Sequence, residues 1–96
     1  MKPSVALQTN REAIRAAVGR NRAANPRVFG SVLHGDDEDG SDIDILVDAL
    51  PGATLFDLGR LQVELEEILG VRVDLLTPGD ISRYFRERVL AEARPI

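Results

Sequence analysis

Apolar and polar residues recur along this chain with two different periods, and the changes of period mark out its elements. Ala13, Ile14, Ala17 and Val18 form a stripe at helical spacing after Thr9 and Asn10. Either of those two can cap a helix running from about Arg11 to Ala24, which Asn25-Pro26 would end. Val28-Phe29 begin a short strand expected to reach Gly30-Ser31, and a turn-rich segment follows from Gly35 to Ser41. Ile43, Ile45 and Val47 then alternate with Asp42, Asp44, Leu46 and Asp48, the period-2 pattern of a strand with one buried face. Pro51-Gly52 breaks that strand. Leu55, Leu58, Leu61, Leu65, Ile68 and Leu69 recur at three- and four-residue spacing up to Gly70, which predicts an amphipathic helix with a glycine just past its end. Val71, Val73 and Leu75 alternate with Arg72, Asp74 and Leu76 in a third strand closed by Pro78-Gly79, and Asp80 or Ser82 can cap a last helix through about Ala93.

The expected order is helix, strand, strand, helix, strand, helix. That is an α/β (α+β) chain with a small mixed three-stranded sheet and helices packed mainly on one face. The first two strands are joined by a short link, whereas a helix allows a parallel crossover before the third. With no internal repeat or low-complexity linker, residues 1–96 read as a single domain. A chain this short buries only about 60–65% of its unfolded surface, but 44% apolar and 29% charged residues are ordinary for a packed core.

Composition then narrows the chemistry. The absence of cysteine removes disulfides, thiolate metal sites and a cysteine nucleophile, and fits a reducing, cytoplasmic setting. No apolar run approaches the ~20 residues of a membrane span, and the N-terminus lacks a basic region followed by a long apolar one, so no membrane is expected. The net charge of −4 conceals +5 over residues 1–27, −11 over 28–80 and +2 over 81–96. So acidic a middle argues against direct gripping of a nucleic-acid backbone and suits a protein that holds divalent cations there.

Asp42 and Asp44 are two apart on one strand, so both side chains leave the same face about 6.5–7 Å apart. Asp74 opposes Val73 and Leu75 on another strand and supplies a third carboxylate if the strands are neighbours. A lone Asp at such a position is most simply a solvent-facing residue of a half-exposed sheet. Three of them, all out of register with the apolar face, favour Mg²⁺ or Mn²⁺, since hard oxygen ligands suit those ions. Asp48 reads as a solvated end-of-strand residue. Gly30-Ser31 lies just before the carboxylates, where a glycine lets a phosphate approach the backbone and a hydroxyl binds its oxygens. Two other motifs fail. Gly30 and Gly35 have Walker spacing, but Asp36-Asp37 stand where Lys and Ser or Thr are required. An EF-hand loop with Gly40 as its glycine would need Gly35 and Leu46 as ligands. His34 is the single histidine, which excludes multi-histidine zinc sites and leaves it a loop residue.

Gly30-Ser31, Gly35, the run Ser41-Asp42-Ile43-Asp44 and Asp74 within Val73-Asp74-Leu75 together resemble the DNA polymerase β-type nucleotidyltransferase superfamily, specifically its minimal nucleotidyltransferases. Members read G-S-x-A-R-G-x-x-x-x-x-S-D-[IL]-D-[IL], and the spacing here matches from Gly30 to Ile45. The resemblance implies that Asp42, Asp44 and Asp74 are catalytic and hold two Mg²⁺ ions, with Asp74 helping to deprotonate the attacking hydroxyl. It implies that Gly30, Ser31 and Ser41 bind the nucleotide, Gly30 and Ser31 at the β- and γ-phosphates, with ATP as substrate. Small proteins of this kind are typically antitoxins paired with a HEPN-domain ribonuclease, and active members transfer AMP to a tyrosine of that toxin. On this resemblance the basic N-terminal helix and an Arg83, Arg86, Arg88 face could meet an acidic partner.

Two departures bear on activity. Leu33 and His34 replace the usual Ala and Arg, and Asp36-Asp37-Glu38-Asp39 place four acids beside a triphosphate site, which weakens nucleotide binding unless the loop points away or recruits cations. A catalytically weak or inactive antitoxin that neutralises its toxin by binding alone is therefore the competing reading. Transfer to a small molecule or an RNA end is a third, and would require another chain to form the acceptor site.

Overall fold

Everything in this molecule is arranged around β2 (Ile43–Ala49), whose Ile43, Ile45 and Val47 have no solvent exposure. In the computed structural model, which describes Met1–Ile96, β1 (Ala23–Phe29) pairs antiparallel with one edge of β2 and β3 (Val73–Leu76) pairs parallel with the other. A two-residue strand, β4 (Arg94–Pro95), adds antiparallel to the outside of β1, so the strand order is β3-β2-β1-β4. The mixed sheet is as expected; its fourth strand is not. Proline suits an edge, because its missing N–H is not needed for the ladder. The following Ile96 donates its N–H to the Pro26 carbonyl and buries its side chain in the core, while Arg15 donates to the Ile96 carbonyl.

The helices supply the other half of the core. α2 (Arg11–Arg20) buries Ile14, Ala17 and Val18, and α4 (Leu55–Leu69) buries Leu61, Leu65 and Leu69, against Val28, Ile43, Ile45, Val47 and Val73 of the sheet. A helix the periodicity did not signal, α1 (Pro3–Thr9), adds Ala6 and Leu7. α2 also stops four residues earlier than expected. The side-chain amide of Asn21 turns back to donate to the Ala17 carbonyl and reaches Glu64 on α4, Arg22 takes a positive φ of 56°, and the chain enters β1. Asn25-Pro26 therefore lies inside a strand. Asn25 at φ 54° marks a bulge, since between the pairs Ala24–Asp48 and Arg27–Leu46 the two residues Asn25 and Pro26 face only Val47.

β1 ends at Phe29, so Gly30-Ser31 is not strand: it opens the five-residue helix α3 (Gly30–His34). α4 begins with a capping box in which Thr54 accepts from the Asp57 N–H and the Asp57 carboxylate accepts from the Thr54 N–H, and Gly70 ends it. After β3 a short 3-10 turn, Pro78–Asp80, lies against β2, and α5 (Arg83–Glu92), capped by Ser82, buries none of its residues. The expected arginine face of α5 is divided. Arg86 turns inward to donate to the Pro78 and Ile81 carbonyls, whereas Arg83 stacks on Tyr84 and Arg88 pairs with Glu92. No helix is long and apolar enough to cross a membrane.

Burial divides α4 sharply, with Leu61 fully buried and Leu55 85% exposed. Leu61→Ala is expected to cost about 2–5 kcal/mol in denaturant unfolding, while Leu55→Ala stays within about 0.5 kcal/mol of wild type.

Candidate active site

The face of β2 away from the main core carries Asp44, Leu46 and Asp48, because strand residues two apart share a face. Pairing sets their neighbours. Asp44 lies opposite Phe29 on β1 and Asp74 on β3, and Leu46 lies opposite Arg27 and Leu76. Asp44 and Asp74 are thus side by side, and Asp42 is an exposed residue just before β2. Burial, then the charges of Asp74 and Asp42, then a hydrogen bond with Asp74, push the Asp44 carboxyl up to about 6. None of the three has a basic ion-pair partner. Asp48 contrasts with them: it is not merely solvated, since Arg27 grips both of its oxygens at 3.1 and 3.3 Å and Asn25 adds a third bond, holding its carboxyl below the usual range.

Gly30 touches this group directly. Its φ is +73°, and a Cβ built there would overlap Asp44 Oδ2 and come within 3.0 Å of Cγ. Only glycine leaves space for the carboxylate against the start of α3, whose second residue is Ser31. Ser41 has a different setting. Its hydroxyl accepts the Glu38 N–H at 2.9 Å and its own N–H donates to the Glu38 carbonyl, so it closes the acidic loop. Beyond Gly30 a cleft of about 240 Å³ separates α3 from α5, lined by Phe29, Gly30, His34, Phe85 and Arg88. His34 spans the two helices, with Nε2 3.5 Å from the Glu92 carboxylate. A larger groove of about 530 Å³ runs along Leu55, Phe56 and Val63 on the outer side of α4, apart from these carboxylates.

Residues 11–96 match the nucleotidyltransferase domain family. The chain belongs to that family. Over 66 residues, 69% of this chain and 71% of the relative, it is 47% identical to a protein of Methanocaldococcus jannaschii that bears the name of a protein adenylyltransferase. It is 38% identical over 65 residues, 68% of this chain and 66% of the relative, to the protein adenylyltransferase MntA of Thermococcus cleftensis. Among solved structures, one described as a minimal nucleotidyltransferase superposes with a TM-score of 0.87 at 42% identity, covering 100% of this chain and 97% of the other. A toxin-antitoxin structure with AMP-PNP gives 0.74 at 25% identity, covering 90% and 71%.

The donor set of this nucleotidyltransferase fits a hard divalent cation. An acidic pair with no basic partner, one member pushed up by the others, is the electrostatic imbalance that a cation removes. No three acidic or histidine side chains already converge on one point. Of the three carboxylates expected to act together, the sheet pairing brings Asp44 and Asp74 side by side, and Mg²⁺ commonly takes one or two carboxylates together with substrate phosphates. Phe85, Arg88 and Glu92, which carry no motif and lie more than fifty residues away in sequence, line the cleft beside Gly30.

Gly30 and Gly35 have nearly the same φ, 73° and 75°, but a Cβ at Gly35 meets nothing. Gly35→Ala is therefore expected to cost only the left-handed conformation, about 1–2 kcal/mol, and Gly30→Ala distinctly more. Adding Asp44→Ala should recover the excess at Gly30 but not at Gly35, which a double-mutant cycle by chemical unfolding measures. Because the Asp44 carboxyl is raised in the folded state, its contribution is most favourable below about pH 4 and is lost as pH rises through about 6. In metal-free buffer Asp44→Asn should remove that slope and stabilise the protein at pH 7.5 by about 1–2 kcal/mol, after allowance for solvent screening. A thermal-melt series from pH 4 to 8 checks this.

Proposed function

We propose that this nucleotidyltransferase moves AMP from ATP to a tyrosine hydroxyl of a HEPN-domain toxin protein in an Mg²⁺-dependent reaction, and thereby acts as the toxin's antitoxin. The observation that carries the reading is the contact of Gly30 with the Asp44 carboxylate, which sets the glycine turn at the start of α3 against a pair of uncompensated acids. The names of the relatives as protein adenylyltransferases, and the toxin-antitoxin neighbour with AMP-PNP, support the acceptor and the nucleotide.

In this reading Gly30 and Ser31 receive the β- and γ-phosphates, the backbone of Gly30 because no side chain intervenes and Ser31 through its hydroxyl. Ser41 holds the adjoining loop closed at the nucleotide's edge. Asp42, Asp44 and Asp74 would hold Mg²⁺, which when bound neutralises charge on the phosphates and on the departing pyrophosphate. The acceptor oxygen forms a bond to the α-phosphorus as the bond to the β-phosphate oxygen breaks, and the hydroxyl proton passes to the Asp74 carboxylate. Asp74 suits that task because it stands on the edge strand β3, exposed where an acceptor can approach.

The test mixes the protein with a HEPN-domain toxin from the same organism, ATP labelled at the α-phosphate, and Mg²⁺. Label is expected on a toxin tyrosine and is expected to fall at least about 100-fold with chelator or in Asp42→Ala/Asp44→Ala. Equal labelling by wild type and the double variant would refute the catalytic assignment. Neutralisation of the toxin that survives the double substitution, without label, would instead establish inhibition by binding alone.

A further inference from the structure

The run Asp36-Asp37-Glu38-Asp39 has no part in the transfer chemistry, and the structure separates one of its four acids from the others. Asp37 is 4% exposed, whereas its three acidic neighbours are exposed. Its Oδ2 accepts a 2.9 Å hydrogen bond from the backbone N–H of Ser4, 33 positions earlier, in the first turn of α1.

That bond completes the first turn of α1. A helix starts with N–H groups that have no partner within it. Pro3 has no N–H to satisfy, the Val5 and Ala6 N–H groups donate to the Lys2 carbonyl at 3.0 and 3.1 Å, and the Lys2 side chain offers no cap. Ser4 holds the remaining donor, and Asp37 supplies from a distance the acceptor that a local Ser or Asp usually provides. The Ser4 N–H, with help from the Ser4 hydroxyl and the Lys2 charge, holds the Asp37 carboxyl below its ordinary range.

The anchor is firm at one end and central at the other. α1 is fixed to the core through Ala6 and Leu7. On the loop side, the Asp36 N–H donates to the Ser31 carbonyl at 2.9 Å and Glu38 exchanges two bonds with Ser41. Asp37 therefore stands between a bridge back to Ser31 and a bridge forward to the residue before Asp42.

We propose that Asp37 is a positioning residue of the transfer site: by accepting the Ser4 N–H it docks the Gly35–Ser41 loop on α1 and so fixes Ser31 and Asp42 relative to each other. The inference rests on the reading of Ser31 and Asp42 as site residues. It makes α1, which precedes the family-matched residues 11–96, part of the active apparatus. It also directs one of the four charges at a helix N-terminus rather than at the nucleotide.

The test compares Asp37→Ala, Asp37→Asn and Ile14→Val in the full chain, by amide hydrogen exchange without nucleotide and by steady-state transfer. Asp37→Ala is expected to speed exchange across residues 31–42 about tenfold while Ile43–Val47 remain protected, and to raise KM for ATP about tenfold with a smaller fall in kcat, the scale of one charge-assisted hydrogen bond. Asp37→Asn keeps an acceptor oxygen and should restore most of both. Ile14→Val, in the core contact of α2, should lower global stability by about 0.5–1.5 kcal/mol without that change in KM. Exchange confined to α1, or an effect of Asp37→Ala on KM no larger than that of Ile14→Val, would overturn the proposal. If wild type transfers no label, the functional reading fails, while the exchange comparison still decides whether Asp37 orders the loop.

Discussion

The contact between the α-carbon of Gly30 and the carboxylate of Asp44 is the constraint on which the site depends. It exists because β1 and β2 pair antiparallel with Phe29 opposite Asp44, so the end of one strand meets the start of the next. A side chain at Gly30 would occupy the place of the carboxylate. Parallel pairing of β3 then sets Asp74 beside Asp44, and the crossover through α4 is what allows that pairing between strands adjacent in the sheet. The fully buried Ile43, Ile45 and Val47 hold β2 in a single register, since a slip of one residue would exchange the apolar face for the acidic one.

Charge is distributed unevenly for a physical reason. Three of the buried or half-buried acids have local compensation: Asp48 from Arg27 and Asn25, Asp57 from the first turn of α4 and Arg60, Asp37 from the first turn of α1. Their carboxyls are held below the ordinary range by hydrogen bonds to donors. Asp44 has the opposite surroundings, other acids and partial burial, and is raised. A raised carboxyl costs the folded protein stability at neutral pH, and the cation proposed for this site would remove that cost.

Much of this was legible before the coordinates. The alternation through Ile43, Ile45 and Val47, and the three-and-four spacing from Leu55 to Leu69, located β2 and α4 because both elements are half-buried and long enough to show a period. Elements without a period were missed or misplaced. α1 has seven residues and its cap comes from Asp37 rather than from its own N-terminal neighbour, and β4 has two residues, one of them proline. Asn25-Pro26 reads locally as a helix stop, yet a left-handed Asn lets β1 absorb both residues as a bulge. Of the candidate site, Asp42, Asp44 and Gly30 are legible in the sequence as a motif, because motif spacing is a local property. That Asp37 is buried among exposed acids, and that α5 borders Gly30, are matters of tertiary placement on which the one-dimensional pattern is silent.

The turn at Gly30-Ser31 and the acids Asp42, Asp44 and Asp74 are proposed to form a single nucleotide and metal site. Two-dimensional amide NMR of the metal-free protein titrated with Mg²⁺ and AMP-PNP tests it most directly. The account predicts perturbations centred on Gly30, Ser31, Asp42, Asp44 and Asp74, absent for AMP-PNP without Mg²⁺ and lost in Asp44→Asn. Perturbations centred instead on the outer groove of α4, at Leu55, Phe56 and Val63, or unchanged in Asp44→Asn, would contradict it.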